Sequence, residues 1–388
     1  MARATRADVA KRAGVSLATV SHVMNGRAEE LGFNKETAKR VEQVAKELGY
    51  TPRASARSFR YQNSKVIGLF FGRIPESLHL PVFDELLLSV VEQAASLGYY
   101  VLPVLFKEDS EITASQLLRS VMREVEFTSI ICEYSPRLRS LESELDKMDV
   151  PAVWFNTGGL EPAESEQASL NEFPGGRQFF AGIDESAGVK DLLKSIDIGK
   201  VKNPVFLVGP GEMTARSKPF IECFPECRIV TTDSWLSVAG QEAMNSLLSE
   251  TVPDLVFAAN DNLALGAIAA FQENNLIPPR DFQIFGYGDV ASGGRQQKSL
   301  SSIYWPLKEL GQLVVNEAVS RSLEKSIASN EKTRTSREEA AASLRVAELL
   351  DDARSLQQSK KTSVGQALAT IAHPRNTTLR KTSENPTA

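Results

Sequence analysis

Between Thr5 and Tyr50, apolar residues recur three and four positions apart in three short runs. Val9, Ala10 and Ala13 form one stripe, Val20 and Val23 a second, and Val41, Val44, Ala45 and Leu48 a third. Such spacing collects side chains on one face of a helix. Thr5, Ser16 and Asn34 stand where helix N-caps belong, and Gly14 and Gly49 where helices stop. Gly14 can also take the positive φ of a sharp turn. The pattern predicts two short helices around a turn, followed by a third helix. Ala10 is small where the first two must cross, and Val20 fills the space between them. Together they make an all-α mini-domain over residues 1–50 with the look of a helix-turn-helix headpiece. A generic helical hairpin is the plainer alternative.

The next stretch, residues 51–64, reads "TPRASARSFRYQNS". Thr51 and Pro52 suit a helix start, but the segment is too short and polar to hold a helix alone. Arg53, Arg57 and Arg60 recur at intervals of four and three, with Phe59 as one large apolar side chain among them. It is a linker unless a polyanion orders it.

From Lys65 the rhythm changes to apolar runs alternating with helical stripes. "KVIGLFF", "YVLPVLF", "TSIICEY" and "PAVWFN" read as buried strands, separated by helical patterns such as "FDELLLSVVEQAASLGY". A second series starts near Asp184 and runs through "PVFLVG", "PDLVFAAND" and "FQIFGYGD". Repeated strand–helix units imply parallel sheets covered on both faces. The expected fold is therefore the headpiece plus an α/β core, residues 65–318, of two doubly wound subdomains. Ligands of such sheets bind at the carboxyl ends of the strands, in the crevice between halves. Residues 319–388 read as an atypical C-terminal helix and tail.

Charge sharpens the division. Residues 1–65 carry 13 Lys and Arg against 6 Asp and Glu, net +7, which leaves −12 on the rest of a chain whose total is −5. A basic head on an acidic body is the asymmetry of a chain whose one end meets phosphate backbone; a solvated basic tail would need no apolar pattern. No apolar run approaches the roughly 18–20 residues of a membrane span, and the N-terminus lacks the apolar core of a secretory signal, so a cytoplasmic protein is expected. Cys132, Cys223 and Cys227 make neither a disulfide framework nor a CxxC pair. His22, His79 and His373 lie far apart, so neither a metal nor another cofactor is expected.

The segment "TRADVAKRAGVSLATVSHVMN…ELGYTPRASARSF" resembles the headpiece and hinge of the lactose-repressor/galactose-repressor (LacI/GalR) family of bacterial transcription regulators. The likeness covers the headpiece and, more loosely, the chain to about residue 318. It implies a homodimer, with a tetramer left open, on pseudo-palindromic double-stranded operator DNA and no membrane partner. The second helix would enter the major groove and the hinge helices the central minor groove. Leu17 and Ala18 then offer apolar contact, for example with thymine methyls, and His22 can hydrogen-bond guanine. Ser16, Thr19, Ser21 and Asn25, with Thr5 on the first helix, hold phosphates or cap helices. In the hinge, Arg53 and Arg57 would meet DNA, and Phe59, beside Ala56, falls where the family inserts an apolar lever. Packing of Phe59 on its own protein is the alternative.

For the core the resemblance implies a periplasmic-binding-protein-like cleft for a small, sugar-like effector. Arg216 in "GPGEMTAR" matches the family's effector-binding arginine, whose fork can donate to several hydroxyls or grip a carboxylate. Trp235, and Asn156 at a strand end, sit where an aromatic face and a polar contact are expected. Asn260 and Asp261 end one strand and open a helix, where polar groups can face the cleft. Each could instead be a cap or core residue. Two departures point to an altered effector. Gly288 replaces the aspartate of the family's Gly-Tyr/Phe-Asp-Asp, and Trp305 takes a position that is usually polar. Pro219 interrupts the helix expected after Arg216. In the tail, "SREEAAASLRVAELLDDARSLQQ" reads as a strong helix, and "HPRNTTLRKTSENPTA" as either the family's closing strand or a disordered extension.

The leading reading is a ligand-responsive, sequence-specific repressor. A sugar-binding receptor without a DNA role explains the body but not the basic headpiece. An enzyme on a doubly wound fold lacks GxSxG, P-loop and GxGxxG motifs, and any plausible nucleophile–base pair.

Overall fold

Thr5 starts the first helix as the sequence reading expects. Its hydroxyl accepts from the Asp8 amide at 3.3 Å, while the Thr5 amide donates to Asp8 Oδ2 at 2.8 Å, a capping box that opens α1 (Arg6–Ala13). Gly14, at φ 65°, closes it. Ser16 accepts from the Thr19 amide at 3.0 Å and starts α2 (Leu17–Met24). Asn34 caps α3 (Lys35–Leu48), which ends on Gly49 at φ 63°. Val9, Ala10, Ala13, Val20, Val23, Val41, Val44 and Ala45 make the core of this unit, each under a tenth exposed. The Arg40 Nε donates to the Ala13 carbonyl at 3.1 Å, tying α3 to the end of α1.

This computed structural model describes residues 4–24, 28, 31–50, 64–72, 81–106, 112–135, 137–155, 178–211, 215–289, 299–330, 365–369 and 371–373. The chain divides into two compact units, Met1–Ser64 and Lys65–Ala388.

The second unit starts with β1 (Val66–Phe71), α4 (Pro81–Ser96), β2 (Tyr100–Leu105), α5 (Ala114–Glu124), β3 (Ser129–Glu133), α6 (Leu141–Lys147), β4 (Ala152–Phe155) and β5 (Gln178–Asp184). Next come α7 (Glu185–Lys194), β6 (Pro204–Val208), α8 (Lys218–Cys223), β7 (Arg228–Thr231), α9 (Ser237–Leu248), β8 (Leu255–Ala258), α10 (Asp261–Glu273) and β9 (Gln283–Phe285). The described part ends with β10 (Ser302–Tyr304), α11 (Leu307–Asn330), β11 (Gly365–Ala369) and β12 (Ile371–His373).

These strands form a parallel sheet in the order β11-β5-β4-β3-β1-β2, a second parallel sheet in the order β7-β6-β8-β9, and an antiparallel pair β10-β12. Such wound sheets put every strand's carboxyl end on one edge. The chain leaves the first sheet through β5 and α7 and comes back through α11. There Ser89 Oγ donates to the Lys308 carbonyl at 2.6 Å, and Gln93 Nε2 to Asn316 Oδ1 at 2.7 Å. It passes between sheets once more from β11 to β12. The core therefore does not end at residue 318. The helix runs to Asn330, and β11 and β12 lie in the stretch read as tail. Of "HPRNTTLRKTSENPTA" the described residue is His373, which ends β12. The rest, and the helix expected around residues 336–358, lie outside the described residues.

Helices α9 and α10 meet backbone to backbone. A Cβ on Gly266 would stand 1.9 Å from the Ser237 carbonyl oxygen, and one on Gly240 2.6 Å from that of Leu263. Overpacked sites cost about 1–3 kcal/mol or more, and here a backbone must move. Gly266→Val is expected to cost about 3 kcal/mol or more, read as an earlier urea midpoint. An unchanged midpoint would mean the helices can slide apart freely. Among the described residues no helix is long and apolar enough to cross a membrane.

Candidate functional site

Helix α2 turns Val20 and Val23 into the headpiece core, which leaves its other face outward. Leu17, 47% exposed, and Ala18 are open to solvent, with Ser21 and His22 half-buried beside them. The His22 imidazole stacks on Phe33, with ring centroids 6.1 Å apart and planes 27° apart. Thr5, Ser16 and Thr19 face solvent or its edge, yet Thr5 and Ser16 also act as caps, and Ser16 and Thr19 hydroxyls lie 2.9 Å apart. Asn25, Arg53, Ala56, Arg57 and Phe59 lie outside the described residues.

In the second unit the strand ends bring together a buried polar cluster around Arg216. Arg216 sits in the turn before α8, and Pro219 occupies the first turn of that helix, where its missing N–H costs nothing. Pro219 thus opens the helix and does not interrupt it. Arg216 Nη1 donates to the Ala259 carbonyl, just past β8, at 2.9 Å. Arg216 Nη2 donates to Glu185 Oε1, at the start of α7. The guanidinium carbon lies 4.3 Å from the ring centre of Tyr287 and 4.8 Å from that of Trp305. These two rings are themselves 5.8 Å apart, edge to face. Tyr287 also donates from its hydroxyl to the Glu185 backbone carbonyl at 3.3 Å. Burial works against the charged guanidinium, but the Glu185 carboxylate and then Tyr287 outweigh it and hold the Arg216 pKa above its ordinary value.

Satisfaction of the cluster's polar atoms is incomplete. Arg216 Nε, Glu185 Oε2 and Trp305 Nε1 are buried without a hydrogen-bond partner among the described residues. Buried polar groups are nearly always paired, so three orphans in one place set it apart from the rest of the core.

The remaining expected residues divide. Trp235 lies against Gly209, where a Cβ would meet its ring at 2.3 Å. Asn260 caps α10 through the Leu263 amide at 2.7 Å, and its Nδ2 donates to the Trp235 carbonyl at 3.0 Å. Asp261 is committed to the fold: it accepts from Ser302 Oγ at 2.6 Å and from the Asp289 amide at 2.8 Å. Gly288, at φ 129°, has no side chain, so position 288 itself brings no carboxylate to the cluster. Asn156 lies outside the described residues. Arg216 and Trp305 are thus brought together, while Glu185 and Tyr287 join them unannounced by the sequence reading. At the carboxyl ends of the first sheet, the Gly72 amide donates to Glu133 Oε2 at 2.7 Å.

Comparison with known proteins places this geometry. The model of the bacterial regulatory proteins of the lacI family matches residues 5–53, and that of the periplasmic binding protein-like domain matches residues 221–348. The HTH-type transcriptional repressor PurR of Edwardsiella ictaluri (strain 93-146) is 31% identical over 328 residues, covering 82% of this chain and 90% of its own. The chain belongs to the lacI family. Another relative, the repressor PurR of Haemophilus influenzae (strain ATCC 51907 / DSM 11121 / KW20 / Rd), is 30% identical over 328 residues, 82% of this chain and 91% of its own. Among solved structures, a lac repressor dimer bound to operator and the anti-inducer ONPF shares the fold at TM-score 0.69 and 20% identity, over 97% of this chain and 100% of that one. The complex of the regulator CelR with cellobiose does so at 0.53 and 19%, with the same coverage. Membership of the lacI family bears out the expected fold class and the choice of a regulator over an enzyme.

Proposed function

We propose that this lacI-family protein is a sequence-specific, DNA-binding repressor that acts in the cytoplasm as a homodimer and answers to a small, sugar-like molecule held at Arg216. The observation that carries the DNA role is the outward face of α2. Leu17, Ala18, Ser21 and His22 stand opposite the buried Val20 and Val23, on a unit whose charge is net positive. A helix held that way by a capped turn can lie in a major groove with its side chains on base edges. Support for the ligand role is the trio of buried, unpartnered polar atoms around Arg216. A dimer is supported by apolar side chains left outside on the first sheet's flank: Leu88 and Val91 on α4, 59% and 42% exposed, and Tyr100 on the edge strand β2, 72% exposed. Two-fold symmetry of the protein then asks for a pseudo-palindromic operator. A ligand that favours one arrangement of the core shifts operator affinity by its differential binding to the two states.

Base readout by α2 is narrow. Leu17 and Ala18 can only touch thymine methyls, and His22 is the imidazole on this face that can hydrogen-bond a guanine edge, beside the hydroxyl of Ser21. His22→Ala is expected to flatten base preference at one position of each half-site, by about 1 kcal/mol, and to leave the other positions unchanged. Selection of sites from random DNA measures this directly. The same selection tests the function: enrichment of a palindrome supports it, and release or tightening by a neutral sugar in a mobility-shift assay identifies the effector class. No enrichment from an intact protein would favour a receptor without a DNA role.

A further inference from the structure

Arg216 already holds a counter-ion inside the chain. Glu185 is the first residue of α7, its carboxylate is wholly buried, and Oε1 accepts a hydrogen bond from Arg216 Nη2. The rings that flank the guanidinium, Tyr287 and Trp305, are uncharged. Formal charge in this cluster therefore sums to zero. What remains open is hydrogen bonding alone: Arg216 Nε and Trp305 Nε1 can donate, and Glu185 Oε2 can accept.

Leaving a buried donor or acceptor unpaired forfeits its hydration, so a molecule that satisfies all three gains the hydrogen bonds these atoms do not find within the chain. An anion can meet the two donors, but it brings a second negative charge against Glu185 where water does not screen it. An uncharged group with an acceptor and a donor on neighbouring atoms meets all three without that cost. We infer that Glu185 sets the charge selectivity of this pocket: its carboxylate sits where an anionic ligand would otherwise meet Arg216, so the pocket excludes anions and takes uncharged ligands such as a vicinal diol or a cyclic amide. The inference rests on Arg216 lining the effector pocket. It adds that Glu185, which the sequence does not single out, decides which effectors can enter.

The test is chemical rescue with acetate, read on stability, so its result is independent of whether an operator or effector has been found. Thermal unfolding of the full chain is compared in acetate and in chloride, each at about 0.1 M. Glu185→Ala removes the carboxylate and opens the space it filled to a small carboxylate beside the guanidinium. Its Tm is expected to rise in acetate by about 2–4 °C more than that of the wild type, saturably. Adding Arg216→Met to Glu185→Ala should remove the response. Should Glu185→Ala fail to fold in chloride, refolding in the two salts gives the same reading, with folded protein recovered only in acetate. Equal responses of wild type and Glu185→Ala, a response that survives Arg216→Met, or refolding that does not depend on the salt would each overturn the inference.

Discussion

Arg216→Met is expected to destabilise the second unit by about 3–5 kcal/mol and to abolish the response to effector. The reason is the partner left behind. Glu185 has no exposed side-chain surface, and Arg216 supplies the only charge–charge hydrogen bond described for its carboxylate. Methionine matches the length of the arginine stem but leaves the Glu185 carboxylate buried without its cationic partner. The cost is that of an orphaned charge, not the net worth of the pair, which desolvation reduces to little. A double change separates the two. Arg216→Met combined with Glu185→Leu replaces the pair with apolar groups, and its unfolding free energy is expected within about 1 kcal/mol of the wild type. Urea unfolding of wild type, both single variants and the double variant measures the coupling. Additive costs would show that the two side chains do not act as a pair.

Val20→Ala is the second large effect, and it acts on DNA binding without touching DNA. Val20 has no exposed surface and sits in a core of eight residues. Removing two methyl groups costs about 2 kcal/mol once the cavity is counted. A unit of this size has only a few kcal/mol to lose. If that loss takes the whole margin, about half of the free headpieces are unfolded, and a dimer that needs both loses about fourfold in affinity at every site alike. The thermal transition of Lys65–Ala388, a separate compact unit, is expected to stay where it is. His22→Ala should do the opposite, altering preference at one base pair with little change in stability. A Val20→Ala protein that binds within twofold of the wild type would show that the headpiece does not depend on this core.

The contrast between these sites matches what could be read from the chain. Helices α1 to α3 were legible because their signals are local: Thr5, Ser16 and Asn34 cap, Gly14 and Gly49 stop, and the apolar stripes keep helical period. Strands β1, β3, β4, β6 and β8 announced themselves as apolar runs. Strand β7 did not, because it forms a sheet edge with little buried side-chain surface. Nor did β11, whose "GQALA" has small residues and gains its place only by pairing with β5. That pairing joins residues almost two hundred positions apart, which no window on the sequence contains.

The same limit applied to the pocket. Arg216 and Trp305 were named on resemblance and departure, and the fold brings them into contact. Glu185 looked like any acidic residue in a helix's first turn, where the backbone dipole favours negative charge. Only burial against Arg216 distinguishes it. Asp261 erred the other way. Its position after a strand suggested the cleft, but its carboxylate is taken by Ser302 and the Asp289 amide, partners supplied by the later loop and β10.

The central claim is that α2 and its headpiece read DNA sequence. Affinity of the full chain for the palindrome selected from random DNA, and for a scrambled duplex of equal length, measured across a salt series, tests it most directly. The account predicts that the palindrome binds at least about a thousandfold more tightly near physiological salt, with affinity for both falling steeply as salt rises. Equal affinity for the two duplexes, or no binding at low salt by a folded dimer, would contradict it.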